Sequence, residues 1–479
     1  MTTRKYSLKT PVKSITADSR KVRAGSFFLA FVGEKVDGRQ YIEDAIKNGA
    51  SAVLWDSEGF DWQADWEVEH LAVKQLRQQA GHIASQFYKN PSSKMWVIGV
   101  TGTNGKTSIT QWLSQCFNYL NRKTAVIGTL GNGLPGNIEQ TNNTTPDPIL
   151  LQGMLADYVE QDATVVAMEV SSHGLHQGRV NGVHFDVAVL SNLTRDHLDY
   201  HGTFEEYAAA KHRLFRTDEL RFAVLNADDN FGQALAEELA DSNTVVVTYG
   251  MTSGDIRASD IRFENGYFTF LAITPRGNAT VNANLIGRFN VFNVLAVLAT
   301  LLASQVSLAD AVTAIAQIKA APGRMQTMGG GKLPLVVIDY AHTPDALEKV
   351  LTTLKAQARS KLICVFGCGG NRDVGKRPLM GKVASDIADA VVVTSDNPRD
   401  ENADDIIQDI VRSMLGNFAI EEDRAKAISI AILAAKAGDI VLIAGKGHED
   451  YQEISGVKLP FSDVEQAALL LKKYEERLL

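Results

Sequence analysis

The chain has 479 residues, a formal net charge of −8 and a pI of about 5.7. Typical domains hold about 100–200 residues, so a chain of this length predicts two to four of them. Hydrophobic residues make up 45% of the sequence and charged residues 22%, which is the balance of a globular protein in water. The acidic balance argues against nucleic acid as the main partner, because binding a polyphosphate backbone requires a basic surface.

The sequence gives no sign of export or of membrane insertion. Residues 1–20 are mixed polar and basic, and nowhere do about 18 apolar residues follow one another. The three cysteines, Cys116, Cys364 and Cys368, are too few for a disulfide framework and are typical of core positions in a reducing compartment. We therefore expect a cytoplasmic protein, and we expect it to act as a monomer.

The first block of the sequence, residues 1–90, mixes strand and helix patterns. Residues 26–32 form a short apolar run that predicts a strand, and residues 41–48 have the spacing of a helix. The polar residues 89–94 are typical of a linker that ends the block.

The rest of the sequence uses one pattern twice, in which short apolar runs alternate with segments of helical length. This alternation predicts an α/β fold of parallel sheets covered by helices, in two further domains at residues 91–322 and 323–479. Residues 320–324, Ala-Ala-Pro-Gly-Arg, separate the two. The predicted strands are residues 95–100, 164–168, 187–190 and 222–225, then 335–338, 362–366, 391–394 and 440–443, and the predicted helices include 108–120 and 149–161.

Polar, glycine-rich clusters follow directly after seven of these predicted strands. In open parallel sheets, ligands bind beyond the carboxyl ends of the strands. We therefore expect the clusters to form the ligand sites. They are residues 101–107, 169–174, 191–197, 339–342, 367–377, 396–401 and 445–449.

The first cluster, residues 101–107, reads Thr-Gly-Thr-Asn-Gly-Lys-Thr and lies between a predicted strand and a predicted helix. Its glycines let backbone N–H groups approach phosphate oxygens, and the helix adds the positive end of its dipole. Lys106 is suited to neutralise the β- and γ-phosphates, and the Thr107 hydroxyl to ligate Mg²⁺. The common phosphate-loop pattern has glycine where this chain has Val100, so a glycine-rich turn that merely begins a helix stays possible.

This loop resembles the nucleotide loop of the Mur ligases and of the related folylpolyglutamate synthases. The resemblance continues in chain order at residues 169–173, 192–199, 287–293 and 339–344. It implies an α/β protein of three domains. They are a small α/β UDP-binding domain at 1–90, a central P-loop-type ATPase with a parallel sheet at 91–322, and a C-terminal Rossmann-like, amino-acid-binding domain at 323–479.

The resemblance implies an ATP-dependent ligase of peptidoglycan synthesis. Within the family, the sequence is similar to the members that add meso-diaminopimelate to the D-Glu of UDP-N-acetylmuramoyl-L-Ala-D-Glu. A carboxylate is a poor electrophile, so such a ligase first phosphorylates it with ATP, and the incoming amine then displaces phosphate from the acyl phosphate. Both reactants of the first step are anions, and cations must shield them.

Four residues are expected to be catalytic: Lys106, Glu169, His197 and Lys211. Glu169 and His197 follow predicted strands and are candidates, with Thr107, to bind Mg²⁺, which needs only one or two protein ligands. Taken alone, a strand-end glutamate is usually solvated and a loop histidine often caps a turn. By itself Lys211 is an ordinary surface lysine of a predicted helix, but the resemblance implies that it carries a carbamate formed with CO₂ and binds a second Mg²⁺.

The resemblance also implies ligands for ATP and for the UDP-sugar peptide. Arg179 suits either a carboxylate or a pyrophosphate, because its planar guanidinium matches both geometries. The implied ATP ligands are Gly102, Thr103, Asn104, Gly105, Lys106, Thr107, Asn293, Arg324, Asp339 and His342. The implied ligands of the UDP-sugar peptide are Ser19, Asn143, Thr144, Thr145, Ser171, Gln177 and Arg179.

Residues 396–399 read Asp-Asn-Pro-Arg, which resembles the segment found in the Mur ligases that add meso-diaminopimelate. Members that add L-lysine lack this arginine. Diaminopimelate has a second carboxylate at its far end, and a bidentate arginine recognises it. By itself, the segment is a turn after a strand. The implied ligands of diaminopimelate are Arg372, Asp396, Asn397, Pro398, Arg399, Gly445 and Glu449.

Three alternatives stay open from the sequence. A sibling ligase, either the lysine-adding form or a folylpolyglutamate synthase, is disfavoured by Arg399 and by the separate N-terminal block. A P-loop switch or kinase-like NTPase is disfavoured by the departure at Val100 and by the strand-end clusters of a second α/β domain. A non-catalytic nucleotide-sugar-binding protein would not need Lys106, Glu169 and His197 together.

Overall fold

The computed structural model describes residues 10–34, 36–140, 143–264 and 267–478. The chain forms two compact units, one of Met1–Ile256 with Ala296–Ser307 and one of Arg257–Leu295 with Leu308–Leu479. Within the described segments, no helix is both long and apolar enough to cross a bilayer.

A parallel four-stranded sheet begins the first unit, with its strands in chain order. The middle strands are buried, and helix α2 packs Leu76 and Ile83 onto Phe27 and Leu29 of the sheet. Burying each such side chain contributes roughly 1.5–3 kcal/mol. The elements are β1 (Ser14–Thr16), β2 (Ser26–Ala30), α1 (Ile42–Lys47), β3 (Ala50–Asp56), β4 (Glu69–Val73) and α2 (Leu76–Phe87), with 3-10 turns at Ser19–Lys21 and Gly38–Tyr41.

The expected linker at 89–94 is instead built into the fold. Pro91–Lys94 forms a 3-10 helix in which Pro91 and Ser92 are buried. The Ser92 hydroxyl accepts a hydrogen bond from His184 N at 3.0 Å. The polar composition that indicated a linker therefore reflects a tight turn that is anchored by a side chain.

The second sheet of the first unit contains the phosphate loop. Its strand order is β12-β11-β10-β5-β9-β6-β7-β8, and all strands are parallel except β7 and β8. The elements are β5 (Trp96–Thr101), α3 (Lys106–Tyr119), β6 (Thr124–Gly128), β7 (Gly131–Leu134), β8 (Asn137–Glu139), α4 (Pro148–Glu160), β9 (Val165–Glu169), α5 (Ser172–His176), β10 (Val187–Leu190), α6 (Leu198–His201), α7 (Phe204–His212), β11 (Phe222–Asn226), α8 (Asn230–Leu239) and β12 (Val245–Gly250), with a 3-10 turn at Arg213–Arg216.

Local sequence explains these elements well. The strands at the centre of the sheet are uninterrupted apolar runs, because helices cover both faces. Helix α4 begins where the Asp147 carboxylate accepts from Ile149 N and Leu150 N, with Pro148 in the first helical turn. The strands predicted here are confirmed to within one residue at each end.

The second unit begins with an antiparallel meander that the sequence pattern did not predict. Strand β14 alternates buried and half-exposed residues along its whole length, the period of a strand with one face on a core. A search for uninterrupted apolar runs does not detect this alternation, because polar and apolar residues take turns along the strand. The elements are β13 (Ile256–Glu264), β14 (Tyr267–Thr274), β15 (Gly277–Ala283), α9 (Arg288–Ala303) and α10 (Leu308–Ile315). From Ala296 onward, α9 belongs to the first unit.

A six-stranded sheet completes the second unit, in the order β16-β17-β21-β18-β19-β20, parallel except for β16. Apolar clusters cover both of its faces. The elements are β16 (Gln326–Gly329), β17 (Leu335–Asp339), α11 (Pro344–Gln357), β18 (Leu362–Phe366), α12 (Lys376–Ile387), β19 (Ala390–Val393), α13 (Ala403–Val411), β20 (Phe418–Ile420), α14 (Arg424–Ala434), β21 (Ile440–Ala444), the hairpin β22 (Tyr451–Ile454) and β23 (Val457–Pro460), and α15 (Asp463–Leu478).

The seven polar clusters lie where the parallel-sheet rule predicts. In the first unit, three of them follow the adjacent parallel strands β10, β5 and β9. In the second unit, four follow the adjacent parallel strands β17, β21, β18 and β19. Each unit therefore has one sheet edge at which several clusters meet.

Candidate active site

The phosphate loop joins β5 to α3 in an extended turn that glycine makes possible. Gly102 has φ 140°, and a Cβ there would stand 1.9 Å from the Ser191 Oγ. Gly105 has φ 89° immediately before Lys106, the first residue of α3. The loop therefore presents backbone N–H groups and a helix N-terminus at the carboxyl edge of the sheet, as an anion site requires.

The segment after β10 fixes the shape of this loop. Thr103 N donates to Asn192 O at 2.9 Å, and Asn104 N donates to Asn192 Oδ1 at 3.1 Å. In return, Ser191 Oγ and Asn192 Nδ2 donate to Asn104 O. The segments that follow β5 and β10 are thus joined by hydrogen bonds in both directions, so the conformation of the phosphate loop is preorganised.

Two lysine amines meet at one backbone oxygen of the loop. Lys106 Nζ donates to Gly102 O at 2.9 Å and Lys211 Nζ donates to the same oxygen at 2.8 Å. Lys211 is only 1% exposed. Its burial, and secondly the charge of Lys106, hold the pKa of Lys211 well below its ordinary value.

Glu169 is buried at the end of β9 and faces the same loop. Its Oε2 accepts from Thr107 Oγ1 at 2.9 Å, and its Oε1 accepts from Thr129 N at 2.8 Å. Thr129 Oγ1 also lies 3.2 Å from Glu169 Oε2. The structure therefore brings Thr107 and Glu169 together, and it adds Thr129, which the sequence pattern did not single out.

His197 lies farther along the segment after β10. Its backbone is left-handed, with φ 52°, and its Nε2 lies 3.5 Å from Asp196 Oδ2. Its ring stands edge-on to that of His173, with centroids 4.9 Å apart. Across the described part of the chain, no three His, Cys, Asp or Glu side chains already converge on one metal position. The oxygen pair of Thr107 and Glu169 nevertheless suits a hard cation that keeps most of its water.

Most of the residues expected to bind the UDP-sugar peptide form one network. Thr145 Oγ1 donates to Glu169 O at 3.0 Å, and Ser171 N donates to Thr145 Oγ1 at 3.0 Å. Arg179 donates from Nη1 to Thr145 O at 2.8 Å and from Nε to Gln177 Oε1 at 2.7 Å. Burial lowers the pKa of Arg179, so an anion at this guanidinium would be stabilising.

The other three expected ligands of the peptide are placed less tightly. Thr144 Oγ1 lies 3.1 Å from Thr129 Oγ1, and Asn143 is exposed. Ser19 lies in the first sheet's 3-10 turn, where its carbonyl accepts from Asn48 Nδ2 at 3.1 Å. Among the described residues, no hydrogen bond links Ser19 to the network.

Two residues of this network carry no sequence signal. Tyr200 OH receives a hydrogen bond from Gln177 Nε2 at 3.0 Å and donates to Glu34 Oε1 at 3.0 Å. Glu34 also accepts directly from Gln177 Nε2. Their separation in sequence, 166 residues, explains why only the fold brings them together.

In the second unit, four of the residues expected near ATP lie at its sheet edge or on α9. The Asp339 carboxylate accepts from Met325 N at 2.8 Å and Ala341 N at 2.9 Å. Arg324 stacks over the Tyr340 ring at 4.7 Å, and its buried Nε has no hydrogen-bond partner among the described residues. His342 Nδ1 lies 2.8 Å from Tyr340 O, whereas the Asn293 amide lies on α9 and donates to Asn290 Oδ1.

The loop after β19 gathers most of the residues expected to bind diaminopimelate. Asn397 Nδ2 donates to Glu449 Oε2 at 2.8 Å, and Asn397 Oδ1 accepts from the fully buried Lys446 Nζ at 2.9 Å. Gly445 has φ 114°, and a Cβ there would stand 2.8 Å from Asp396 Oδ2. Asp396 Oδ2 is buried and has no partner among the described residues, so it is available to an ammonium donor.

The two ends of this site differ in exposure. Pro398 shapes the turn, with its carbonyl accepting from Glu401 N at 3.1 Å. Arg399 donates from Nη1 to Gly370 O at 2.8 Å and from Nε to Glu453 Oε2 at 3.2 Å. Arg372 extends into solvent and contacts only the neighbouring Asn371 O, at 3.3 Å, among the described residues.

Three family models match the chain in succession. The model described as Mur ligase family, catalytic domain, matches residues 11–88. The Mur ligase middle domain matches 100–301, and the Mur ligase, glutamate ligase domain matches 323–447.

Relatives and solved structures match over nearly the whole length. A relative from Chromobacterium violaceum named UDP-N-acetylmuramoyl-L-alanyl-D-glutamate--2,6-diaminopimelate ligase is 52% identical and covers 98% of this chain and 96% of its own. A solved structure of a ligase with that name is 39% identical, with TM-score 0.74, and covers 97% of this chain and 96% of that chain. The MurF ligase of Thermotoga maritima, solved with ADP, is 19% identical and shares the fold with TM-score 0.64, over 99% of this chain and 100% of that chain. The chain therefore belongs to the Mur ligase family.

Proposed function

We propose that the protein is an ATP-dependent ligase of peptidoglycan synthesis. It joins meso-diaminopimelate to the D-Glu carboxylate of UDP-N-acetylmuramoyl-L-Ala-D-Glu and releases ADP and phosphate. The relative from Chromobacterium violaceum and the 39%-identical solved structure, both named for this reaction, support the assignment over almost the entire chain.

The observation that carries the substrate assignment is a pair of charged groups after β19, each of which keeps one atom without a protein partner. Arg399 Nη2 has no partner among the described residues, and Asp396 Oδ2 is buried without one. Arg399 binds a carboxylate and Asp396 binds an ammonium, and diaminopimelate carries both of these groups at its far end. L-Lysine has no distal carboxylate and would leave Arg399 Nη2 without a partner.

The phosphoryl-transfer half of the reaction belongs to the loop of residues 102–107. We assign ATP phosphates to its backbone N–H groups, to the N-terminus of α3 and to Lys106. Arg324, Asp339, His342 and Asn293 are assigned to the nucleotide in the second unit. ADP bound to the structurally similar MurF ligase supports a nucleotide as ligand of this fold.

We assign Mg²⁺ to Thr107 and Glu169, whose oxygens fit a hard cation, together with His197. When bound, Mg²⁺ shields the phosphate charge that a carboxylate nucleophile has to approach. Thr129 N, at 2.8 Å from Glu169 Oε1, keeps that carboxylate oriented.

Lys211 is suited to form the carbamate. Its pKa is depressed, so a neutral amine is available to attack the carbon of CO₂. The N–C bond forms, one C=O electron pair moves to oxygen, and a proton leaves the nitrogen. The product is an anion that is attracted to the Lys106 ammonium beside Gly102 O, and it provides an oxygen ligand for a second Mg²⁺.

The UDP-sugar peptide is assigned to Thr144, Thr145, Ser171, Gln177 and Arg179, with Ser19 and Asn143 as further ligands. We propose domain boundaries at 1–90, 91–322 and 323–479, which the three family-model matches support. A cytoplasmic location fits an enzyme that acts on a nucleotide-sugar precursor. Action as a monomer stays a prediction.

The test is phosphate release by the purified protein with ATP, Mg²⁺ and UDP-N-acetylmuramoyl-L-Ala-D-Glu, with meso-diaminopimelate or L-lysine as acceptor. We expect turnover with diaminopimelate. We also expect Arg399→Ala to lower kcat/KM for it by at least about 100-fold, because a desolvated charge pair is lost. The matched control is Arg412→Ala, which removes an exposed arginine at the end of helix α13.

Either of two results would change the assignment. Efficient turnover with L-lysine would keep the ligase but remove the proposed role of Arg399. No amino-acid-dependent turnover with either acceptor would overturn the ligase and favour a nucleotide-driven switch.

A further inference from the structure

The hairpin β22–β23 lies against the loop that carries Arg399. Arg399 N donates to Glu453 O at 3.0 Å, and Ser455 N donates to Arg399 O at 2.7 Å. Arg399 and Ile454 accordingly form an isolated parallel bridge. The hairpin therefore acts as a partner strand for this one residue of the loop.

These two hydrogen bonds fix the backbone from which the Arg399 side chain extends. Arg399 has φ 53°, in the left-handed region that is unfavourable for a residue with a Cβ. Two backbone hydrogen bonds to the hairpin offset that cost. Without them, the loop would relax to an ordinary backbone conformation and the side chain would leave in another direction.

The guanidinium itself is also held by the hairpin. Its Nε donates to Glu453 Oε2 at 3.2 Å and its Nη1 to Gly370 O at 2.8 Å, while Nη2 has no partner among the described residues. A Cβ on Gly369 would stand 2.9 Å from Nη1, so the group lies against bare backbone. The side chains of Arg399 and Glu453 are 20% and 25% exposed, which makes their pairing stronger than that of a surface pair.

Glu453 reaches a second residue of the same site. Its backbone N donates to Asn397 Oδ1 at 2.9 Å, the oxygen that also accepts from Lys446 Nζ. Asn397 is in turn bonded to Glu449. One hairpin residue therefore touches both ends of the 397–399 loop.

We propose that Glu453 is a positioning residue that determines specificity for the amino-acid substrate. Its carboxylate fixes the Arg399 guanidinium with Nη2 presented to the distal carboxylate of a diamino-dicarboxylic acid. The inference rests on the proposed function, because Glu453 acts on the substrate through Arg399.

Two physical effects make the Glu453 carboxylate important. A guanidinium already held at Nε and Nη1 loses little rotamer entropy when substrate binds, whereas a free arginine side chain would have to be ordered at that moment. The carboxylate also balances the charge of a mostly buried arginine while the site is empty. An amino acid without a distal carboxylate gains from neither effect.

The test is steady-state kinetics of the full chain at saturating ATP and UDP-sugar peptide, with meso-diaminopimelate and L-lysine. We expect Glu453→Ala to raise KM for diaminopimelate about tenfold, with kcat within about twofold and kcat/KM for L-lysine unchanged. Glu453→Gln is expected to raise KM less than Glu453→Ala does, by about threefold, because its amide oxygen still accepts from Nε although it no longer balances the guanidinium charge. Gln452→Ala, the next residue of the same strand and on its other face, is the control.

A double-mutant comparison separates positioning from folding. In an Arg399→Ala background, adding Glu453→Ala is expected to change KM no further, because the residue acts through Arg399. If Glu453→Ala does not fold, Glu453→Asp takes its place, because the shorter side chain moves the carboxylate away from Arg399 by the length of one methylene group.

The outcomes distinguish this inference from the proposed function. A wild type without amino-acid-dependent turnover overturns both. An active wild type in which Glu453→Ala leaves KM unchanged, or lowers diaminopimelate and lysine turnover equally, overturns the role of Glu453 alone.

Discussion

Lys211 is a buried amine whose charge the fold disfavours. Its pKa is lowered by burial and by Lys106, so the folded chain binds fewer protons here than the unfolded chain, whose lysine titrates near 10.5. Stability therefore rises with pH from the folded pKa up to about 10.5, and at neutral pH the amine is a net cost to folding. A residue kept at such a cost is a candidate for chemistry.

Replacing Lys211 by Met tests whether the buried amine lowers stability and takes part in the reaction. In CO₂-free buffer, we expect Lys211→Met to raise the midpoint of thermal unfolding and to flatten the rise of stability with pH. In buffer that contains bicarbonate, where the wild type can form the carbamate, the variant should also lower ligase turnover by about 10²–10³-fold, because a charge-stabilising group is lost. Differential scanning calorimetry and the phosphate-release assay measure both. Retained turnover, or a lower unfolding midpoint, would contradict the assignment, and Lys123→Met, an exposed lysine at a turn, is the control.

At the scale of elements, a fully buried ion pair ties α14 and α15 to the proposed amino-acid site. Arg424 and Asp463, both 0% exposed, make two hydrogen bonds of 2.8 Å. The same guanidinium donates to Ala444 O at 3.0 Å and to Ser395 O at 3.4 Å. These carbonyls directly precede Gly445 and Asp396, so the pair sets the ends of two strands that carry the site.

Breaking this pair on one side should be worse than removing it altogether. We expect Asp463→Ala to lower the free energy of unfolding by about 3–5 kcal/mol, because Arg424 would be left as a lone buried charge. Adding Arg424→Met should recover most of that loss, while KM for the amino acid stays raised because the two carbonyls have lost their donor. Urea unfolding followed by fluorescence, with kinetics on both variants, measures this. A double variant less stable than Asp463→Ala would contradict the explanation.

At the scale of the whole molecule, the reaction has two steps, formation of the acyl phosphate and attack by the amine. We expect the two steps to depend on different units. Glu169 lies in the first unit and Arg399 in the second. In the presence of ATP and the UDP-sugar dipeptide, hydroxylamine converts an acyl phosphate to a hydroxamate without any amino acid. We expect Arg399→Ala to keep hydroxamate formation within about threefold of the wild type. We expect Glu169→Gln to lose it by about 10²–10³-fold. Loss of both activities in Arg399→Ala would show that Arg399 is needed before the amine arrives.

Several parts of the fold and of the site are readable from local sequence. Uninterrupted apolar runs placed the central strands, such as Val187–Leu190, because a strand covered on both faces has only apolar positions. The alternation of apolar runs with helical segments predicts parallel sheets. In a parallel sheet, residues 102–107 and 396–399, which follow strands, lie at the carboxyl edge. Loops after strands are local features, so their chemistry could be predicted without distances.

Tertiary structure alone decided the rest. Lys211 became a buried amine because α7 places it on Gly102 O, 109 residues away, and no helix pattern distinguishes it from a surface lysine. Glu453 reaches Arg399 across 54 residues through a hairpin whose alternating pattern is weak. Sequence determined the central strands and the polar loops that follow them because these depend on nearby residues. Which charges are buried, paired or left unsatisfied depends on contacts between distant segments, and those exist only in the folded chain.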